Sequence, residues 1–127
     1  MDRELRITGF DHLVLACTDV ETTLAWYLDR LGLEPVRVDE WRTGTAPFPS
    51  VRLSGDTIID LVAGNADDGR LDHICVLVEP TDLDALARSG EFDVVDGPAP
   101  RFGARGMGTS LYVRDPDGLI VELRHYG

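Results

Sequence analysis

The sequence predicts an α+β protein built from two βαβββ modules that are related by pseudo-two-fold symmetry. Three observations predict this fold class. Two short apolar runs each open with an aspartate and a histidine, and the two histidines, His12 and His73, are 61 residues apart. Each run is followed by a Thr-Asp pair of the kind that starts a helix. In each half, the last two predicted strands are joined by a tight turn.

The first strand and the helix of each module are predicted from residue type and periodicity. Residues 11–17 and residues 72–78 are short runs rich in apolar and β-branched side chains, which is typical of a buried strand. A helix over residues 20–32 follows the first run, and a helix over residues 82–89 follows the second. A glycine stands near the end of each helix, where a left-handed residue commonly ends the helical hydrogen bonding.

Three more strands complete each module. The last two strands are joined by residues 54–56 in the first module and by residues 115–118 in the second. The second of these turns contains Pro-Asp-Gly, which is a strong turn signal. The predicted strands are residues 35–38, 50–53 and 57–62 in the first module, and residues 92–95, 110–114 and 119–123 in the second.

We interpret residues 1–127 as a single domain that contains both modules. The apolar fraction of 43% is sufficient to close one core at this length. The modules occupy about residues 7–64 and about residues 70–126, with residues 63–70 as the junction. Because each half-sheet must bury its apolar face, we expect curved half-barrel sheets around a shared cleft, within one chain or across a dimer.

The charge of the chain argues against two classes of partner. The net charge is −11, and the 23 acidic residues are opposed by 12 basic residues, all of them arginine. An acidic surface repels phosphate backbones and anionic lipids, and the arginines are scattered rather than clustered. We therefore expect a small-molecule partner, with no nucleic-acid and no membrane binding.

The sequence also favours a cytoplasmic location. No apolar run approaches the roughly 20 residues that cross a bilayer, and the charged N-terminus leads into no signal-like stretch. The two cysteines, Cys17 and Cys75, lie in separate apolar runs and form no Cys-x-x-Cys pair. We interpret them as buried free thiols rather than as a disulfide.

Four ionisable residues occupy matching positions in the two modules. His12 matches His73, and Asp60 in the last strand of the first module matches Glu122 in the last strand of the second. Charged groups among apolar strand residues are costly to bury unless something compensates them. Imidazole and carboxylate donors together suit first-row metals such as Zn, Ni, Fe, Mn or Co. The pattern therefore predicts one divalent metal ion held by His12, His73 and Glu122. Asp60 either binds this ion through a water molecule, acts as a base without binding it, or only fills a strand position.

Further residues are candidates for substrate binding. Residues 97–108 are rich in glycine and contain Arg101 and Arg105, so they form either a flexible connection or a lid that pairs with an anionic substrate. Strand alternation places Cys75 on the same face as His73, and Arg124 on the same face as Glu122. We expect Arg101, Arg105, Arg124 and Cys75 to line the cleft.

Several motifs give the chain a resemblance to a known family. They are residues 10–15, 24–27, 31–33 and 72–74 and, most specifically, residues 112–123. Together they resemble the vicinal oxygen chelate superfamily, also called the glyoxalase, bleomycin resistance and dioxygenase family, and in particular its small single-unit bacterial proteins. In that superfamily the residues matching His12, His73 and Glu122 are metal ligands. Glyoxalase I enzymes that use four protein ligands place a glutamate, which also serves in catalysis, where this chain has Asp60, and an aspartate is shorter by roughly 1.5 Å.

The resemblance implies an activity and leaves alternatives open. The first is a lyase or isomerase of glyoxalase I type, acting through a metal-chelated enediolate, with Glu122 or Asp60 moving the proton. A non-haem Fe(II) extradiol-type dioxygenase is an alternative. Another is a resistance protein that binds an antibiotic or other small molecule without catalysis. A metal-dependent thiol transferase shares the three ligands, but its potassium-binding loop is not recognisable. The resemblance also implies a homodimer.

Overall fold

The computed structural model describes residues 5–65 and 69–127, which form eight strands and three helices. The described residues form two compact units: the first is His12–Asp72, and the second is His73–Gly127 together with residues 5–11. The elements in chain order are β1 Ile7–Cys17, α1 Val20–Leu31, β2 Glu34–Val36, α2 Val38–Arg42, β3 Ser50–Ser54, β4 Thr57–Ala63, β5 Leu71–Val78, α3 Leu83–Arg88, β6 Asp93–Gly103, β7 Gly106–Arg114 and β8 Ile120–His125. The predicted α+β class is confirmed.

The unit His12–Asp72 has the strand order β2-β3-β4-β1. β1 and β4 are parallel, with Val14 opposite Asp60, whereas the other neighbours are antiparallel. The helix α1 begins because the Asp19 side chain accepts a hydrogen bond from the Thr22 amide, and it ends at Gly32, which has a φ of 68°. An apolar cluster beneath α1 forms the core of this unit and contains Cys17, Val20, Leu24, Val38, Val51, Ile59 and Leu61.

The second unit repeats this topology. Its strand order is β6-β7-β8-β5, so each strand has the neighbours that its counterpart has in the first unit. β5 and β8 are parallel, and Cys75 lies opposite Glu122 as Val14 lies opposite Asp60. The core of this unit lies beside α3 and contains Val78, Leu83, Leu111, Val113 and Leu123. The predicted alignment of His12 with His73 and of Asp60 with Glu122 therefore agrees with the strand register.

Two predicted segments differ from the structure. The strand predicted for residues 35–38 ends at Val36, because Arg37 takes a left-handed φ of 57° and the helix α2 follows it. The flexible connection or lid predicted for residues 97–108 is instead most of the hairpin of β6 and β7. Register shifts between Val94 and Ala99 accommodate Gly97 and Pro98 in β6, which is the outermost strand in the order of its unit.

The remaining predictions about organisation have mixed outcomes. Cys17 and Cys75 are both buried thiols that form no disulfide, as predicted. Of the predicted junction at residues 63–70, residues 66–68 lie outside the described part of the chain. Within residues 5–65 and 69–127, no helix combines the length and the hydropathy that a membrane span needs; the longest, α1, has 12 residues.

Candidate metal-binding site

Glu122 is the buried carboxylate of the second unit, and its two oxygens have different partners. The residue lies on β8 and is 1% exposed. Its Oε1 lies 3.1 Å from His73 Nε2 on β5. Its Oε2 accepts a hydrogen bond of 2.6 Å from the Ser110 hydroxyl on β7. One oxygen is thus held by a serine, while the other lies beside an imidazole nitrogen.

The first unit contains the same three types of residue, with its histidine and its carboxylate at the matching places. Asp60 on β4 and His12 on β1 are each 2% exposed, and Asp60 Oδ2 lies 3.6 Å from His12 Nε2. The hydroxyl of Ser50 on β3 donates a hydrogen bond of 2.5 Å to Asp60 Oδ1. A histidine, a carboxylate and a serine hydroxyl therefore recur in both units.

Strand alternation separates these polar groups from the apolar core. Ile59 and Leu61, on either side of Asp60, belong to the cluster that contains Leu24 of α1. On either side of Glu122, Leu123 belongs to the apolar cluster of the second unit, and Val121 packs against that same cluster. Because successive side chains of a strand point to opposite faces, each carboxylate lies on the face that its helix does not cover.

The spacing of His73 and Glu122 fits two donors of one metal ion. Donor atoms that bind an ion at about 2.1 Å, at the angles of tetrahedral or octahedral geometry, lie about 3.0 to 3.4 Å apart. The 3.1 Å between His73 Nε2 and Glu122 Oε1 falls within this interval. The 3.6 Å between His12 Nε2 and Asp60 Oδ2 is wider, in keeping with the short reach of an aspartate.

Among the described residues, Arg124 has the largest fully buried side chain, and it lies next to Glu122. Its Nη1 donates a hydrogen bond of 3.0 Å to Ser110 Oγ and lies 3.5 Å from Glu122 Oε2. Its Nη2 donates to the carbonyl oxygens of Arg101 and Gly106, at 2.8 and 2.6 Å. Arg124 therefore lies on the same face as Glu122, as strand alternation predicts, and its contacts are with other groups of the protein.

Asp11 and Tyr126 enclose the other side of the Arg124 guanidinium. Asp11 Oδ1 accepts a hydrogen bond of 2.5 Å from the Tyr126 hydroxyl, and its Oδ2 accepts one of 2.9 Å from the Ala104 amide. Arg124 Nε lies 3.8 Å from Asp11 Oδ2, and the guanidinium lies 4.6 Å from the centre of the Tyr126 ring. Burial lowers the pKa of Arg124, but its contacts with Tyr126 and Asp11 outweigh burial and raise it. Asp11 thus joins the start of this unit to the turn of the hairpin.

Two glycines of the hairpin make room for this guanidinium. A Cβ at Gly103 would lie 2.5 Å from Arg124 Cζ, and one at Gly108 would lie 3.0 Å from Arg124 Nη2. A side chain at Gly103 would require the buried arginine to move, and one at Gly108 would also lie 2.8 Å from the His125 carbonyl oxygen. Close packing against Arg124 and the His125 carbonyl therefore accounts for two glycines of residues 97–108, the segment predicted to be a flexible connection or a lid.

The other predicted substrate contacts occupy varied positions. Arg101 on β6 is partly exposed, pairs with Asp96 at 3.2 Å and lies 5.8 Å from the centre of the Tyr112 ring. Arg105 is exposed in the hairpin turn, 4.3 Å from the centre of the Tyr126 ring. Cys75 is buried opposite Glu122. The roles of Arg101, Arg105, Arg124 and Cys75 in substrate binding stay predictions.

Tyr112 belongs to the site and was not identified from the sequence. It lies opposite Glu122 in the register of β7 and β8, and its ring meets that of His73 edge to face at 5.7 Å. Burial, together with the charge of Glu122, raises the pKa of Tyr112 to about 12. Strand alternation from Ser110 places Tyr112 on the face of Ser110. That this face is the one with Glu122 becomes known only from the register of β7 and β8.

The raised pKa of Tyr112 predicts a loss of stability at alkaline pH. An unfolded tyrosine releases its proton near pH 10, whereas folded Tyr112 retains it to about pH 12. The free energy of unfolding should be unaffected below about pH 9 and should fall between about pH 10 and 12, because the folded state then binds more protons. We expect Tyr112 to contribute roughly 1 kcal/mol of this loss, since it is only partly buried. Urea unfolding of the metal-free protein at pH 9 and 11 measures it; an equally steep decline in Tyr112→Phe would contradict the assignment.

Comparison with known proteins gives the chain a family. The model of the Glyoxalase/Bleomycin resistance protein/Dioxygenase superfamily matches residues 9–123. Glyoxalase domain-containing protein RDO1 of Mycosarcoma maydis is 33% identical over 129 residues, covering 98% of this chain and 72% of that protein. Virulence protein STM3117 of Salmonella typhimurium is 28% identical, covering 97% of this chain and 88% of that protein.

A solved structure extends the similarity to the fold. Methylmalonyl-CoA epimerase from Mycobacterium tuberculosis has a TM-score of 0.64 and 21% sequence identity, covering 100% of this chain and 93% of the epimerase. At this identity the likeness is one of fold alone. The family match spans nearly every element of both units, from β1 to β8. The chain therefore belongs to the glyoxalase, bleomycin resistance protein and dioxygenase superfamily, the vicinal oxygen chelate superfamily that its motifs resemble.

Proposed function

We propose that the chain binds one divalent metal ion through His12, His73 and Glu122 and acts as a lyase or isomerase of the glyoxalase I type. Membership in the superfamily supports a metal-dependent enzyme or a binding protein for small molecules. The observation that carries the proposal is the pairing of His73 Nε2 with Glu122 Oε1 at 3.1 Å while Ser110 occupies Oε2. A carboxylate held in this way presents one defined oxygen beside an imidazole nitrogen.

His12 is included among the proposed ligands because the internal repeat matches it to His73. It stands on β1 where His73 stands on β5, and each histidine is two residues before the position that faces the carboxylate of its own unit. The matched histidine and the Glu122 pair supply two nitrogen donors and one oxygen donor, a set that suits Ni, Zn, Fe, Mn or Co. Three protein ligands would leave positions for a substrate with two neighbouring oxygens.

Asp60 is the residue that we propose to move a proton. When bound, the ion would withdraw electron density from the substrate oxygens and acidify an adjacent C–H group. Ser50 donates a hydrogen bond to Asp60 Oδ1, and Oδ2, 3.6 Å from His12 Nε2, would accept that proton and return it to the neighbouring carbon. Burial of Asp60 keeps water away from the carboxylate during this transfer.

Metal uptake and turnover test the proposal together. The metal-free protein is titrated with Ni(II), Zn(II) or Co(II), and each loaded form is assayed with a hemithioacetal of an α-oxoaldehyde. We expect about one ion per chain and isomerisation of the hemithioacetal to a thioester. His125→Ala is the matched control, because His125 is the third histidine of the sequence and is outside the proposed ligand set.

The possible outcomes separate the alternatives. Absence of metal uptake by the wild-type chain would overturn the proposal. Metal uptake without isomerisation, but with oxygen consumption on catechols under Fe(II), would favour the dioxygenase alternative. Tight binding of a small molecule with neither reaction would favour a resistance protein without catalysis.

We also propose that the chain forms a homodimer in the cytoplasm. The resemblance to the superfamily supports the dimer, and the acidic composition, with a net charge of −11, supports a location away from anionic surfaces. Sedimentation equilibrium of the metal-loaded and metal-free chain measures the assembly. A monomer at micromolar concentration in both forms would contradict the dimer.

A further inference from the structure

We propose that Arg124 is a positioning residue that acts through Ser110 to fix Glu122 with Oε1 turned toward His73. The inference rests on the proposed function, because Oε1 matters only if it is a ligand atom. It concerns contacts within the second unit alone. It also distinguishes the two buried carboxylates: Glu122 is held by a serine that an arginine orients, whereas Asp60 is held by a serine without that arginine.

The direction of the hydrogen bonds follows from the donor inventory. A guanidinium only donates, so Ser110 Oγ must accept the 3.0 Å hydrogen bond from Arg124 Nη1. A serine hydroxyl has one proton, and with its oxygen accepting from Arg124 that proton is free to point to Glu122 Oε2, at 2.6 Å. The serine is therefore oriented from one side by the arginine, and it orients the carboxylate on the other.

Arg124 is itself held rigidly enough to serve as an anchor. Two backbone carbonyls fix its Nη2, and the side chain is 0% exposed. The ring of Tyr126 covers the guanidinium, and Gly103 approaches it too closely for any Cβ. A planar, multiply bonded guanidinium of this kind has little freedom to move.

The charge of Arg124 also favours Oε2 as the restrained oxygen. Nη1 lies 3.5 Å from Glu122 Oε2, so the serine bond and the cation act on the same atom. This leaves Oε1 as the oxygen that faces His73, at 3.1 Å. Rotation of the carboxylate away from this orientation would lose the short serine bond inside a buried site, where such a loss is costly.

The first unit has a different residue at the corresponding position. Val62 on β4 stands where Arg124 stands on β8, since Val62 faces Ala16 and Arg124 faces Leu77 in matching strand pairs. The bond from Ser50 to Asp60 therefore has a valine two residues beyond the carboxylate instead of an arginine. We assign ligand positioning to the serine–arginine pair of the second unit for this reason.

Co(II) binding to variants of both units tests the inference. Ser110→Ala removes the hydroxyl. Arg124→Lys keeps the charge, but the ammonium group lacks the planar fork with which the guanidinium contacts Ser110 and two carbonyl oxygens at once. Their matched controls are Ser50→Ala, which removes the serine of the other carboxylate, and Arg114→Lys, which alters a half-exposed arginine on β7. The readouts are the dissociation constant and the visible absorption bands of bound Co(II), with thermal unfolding of each metal-free variant.

We expect Ser110→Ala and Arg124→Lys each to weaken Co(II) binding by about 10- to 100-fold and to shift the absorption bands. Ser50→Ala and Arg114→Lys should weaken binding by less than about threefold. The double variant Ser110→Ala/Arg124→Lys should bind about as well as the weaker single variant, because the two residues act through one chain of hydrogen bonds.

The outcomes distinguish this inference from the proposal on which it rests. Wild-type protein that takes up no Co(II) would overturn the proposed function. If the wild type binds Co(II) and Ser110→Ala binds it with the same affinity and spectrum, the proposed role of the serine and arginine is wrong. The proposed metal site would then still stand. Should Arg124→Lys fail to fold, Ser110→Ala decides alone. Equal weakening by Ser50→Ala would overturn the assignment to the second unit.

Discussion

Glu122→Gln is expected to abolish high-affinity metal binding while the chain remains folded. Glutamine has nearly the same shape, and its amide oxygen can still accept from Ser110, but it is neutral and a poor metal ligand. We expect the affinity for Co(II) or Zn(II) to fall by more than the roughly 100-fold that loss of a ligand's hydrogen-bonding partner costs. Competition with a chromophoric chelator measures the dissociation constant over this range.

The matched control for Glu122→Gln is Asp60→Asn. Both changes neutralise a buried carboxylate that a serine holds and that a histidine faces. If the three-ligand set is right, Asp60→Asn retains metal within a few-fold of the wild type. Retention of metal by Glu122→Gln would remove Glu122 from the ligand set. Circular dichroism of both metal-free variants shows that the comparison is made between folded proteins.

A cost in stability should accompany the loss of metal in Glu122→Gln. Arg124 is buried and lies 3.5 Å from Glu122 Oε2, so neutralising this carboxylate leaves Asp11 as its remaining nearby counter-charge. Removing one partner of a buried charge pair is destabilising by several kcal/mol where no other group compensates. Because Asp11 persists, we expect the free energy of unfolding of the metal-free protein to fall by only about 1 to 2 kcal/mol.

The internal repeat explains why the fold could be predicted well from the sequence. A parallel pair, β1 with β4 or β5 with β8, joins the ends of each module, so matched residues in the sequence are also matched in register. The departures have local causes. Arg37 adopts a left-handed conformation although it is not glycine, and its residue type gives no signal of this. The prolines and glycines of β6 give an irregular strand the composition of a loop.

The partners of the carboxylates could not be predicted in the same way. Ser50 is directly opposite Asp60, whereas Ser110 is opposite Arg124 and reaches Glu122 from the next pair. The two serines are therefore at different spacings from their carboxylates, and a fixed sequence offset does not relate them. Arg124 was assigned to the correct face, but its burial depends on close packing against Gly103 and Gly108, which alternation does not describe.

Asp60→Ala is expected to separate catalysis from metal binding. If Asp60 moves the proton, its loss should lower kcat/KM for a hemithioacetal by about 10²- to 10⁴-fold, the usual contribution of a positioned acid or base. Metal content should remain near that of the wild type, because His12, His73 and Glu122 are unchanged. Steady-state rates are measured on fully metal-loaded protein, so that partial loss of metal cannot imitate a catalytic defect.

Asp60→Glu supplies the complementary change, because it lengthens the side chain by roughly 1.5 Å and retains the charge. A longer carboxylate could close the 3.6 Å gap between Asp60 Oδ2 and His12 Nε2 toward the spacing observed for Glu122 and His73. We expect tighter metal binding in this variant than in the wild type, with a different Co(II) spectrum. Loss of metal in Asp60→Ala would instead show that Asp60 is a ligand in the wild type. The proposed roles, with Glu122 as ligand and Asp60 as proton carrier, would then be wrong. Because one variant shortens the side chain and the other lengthens it, the two results together distinguish a proton carrier from a fourth ligand.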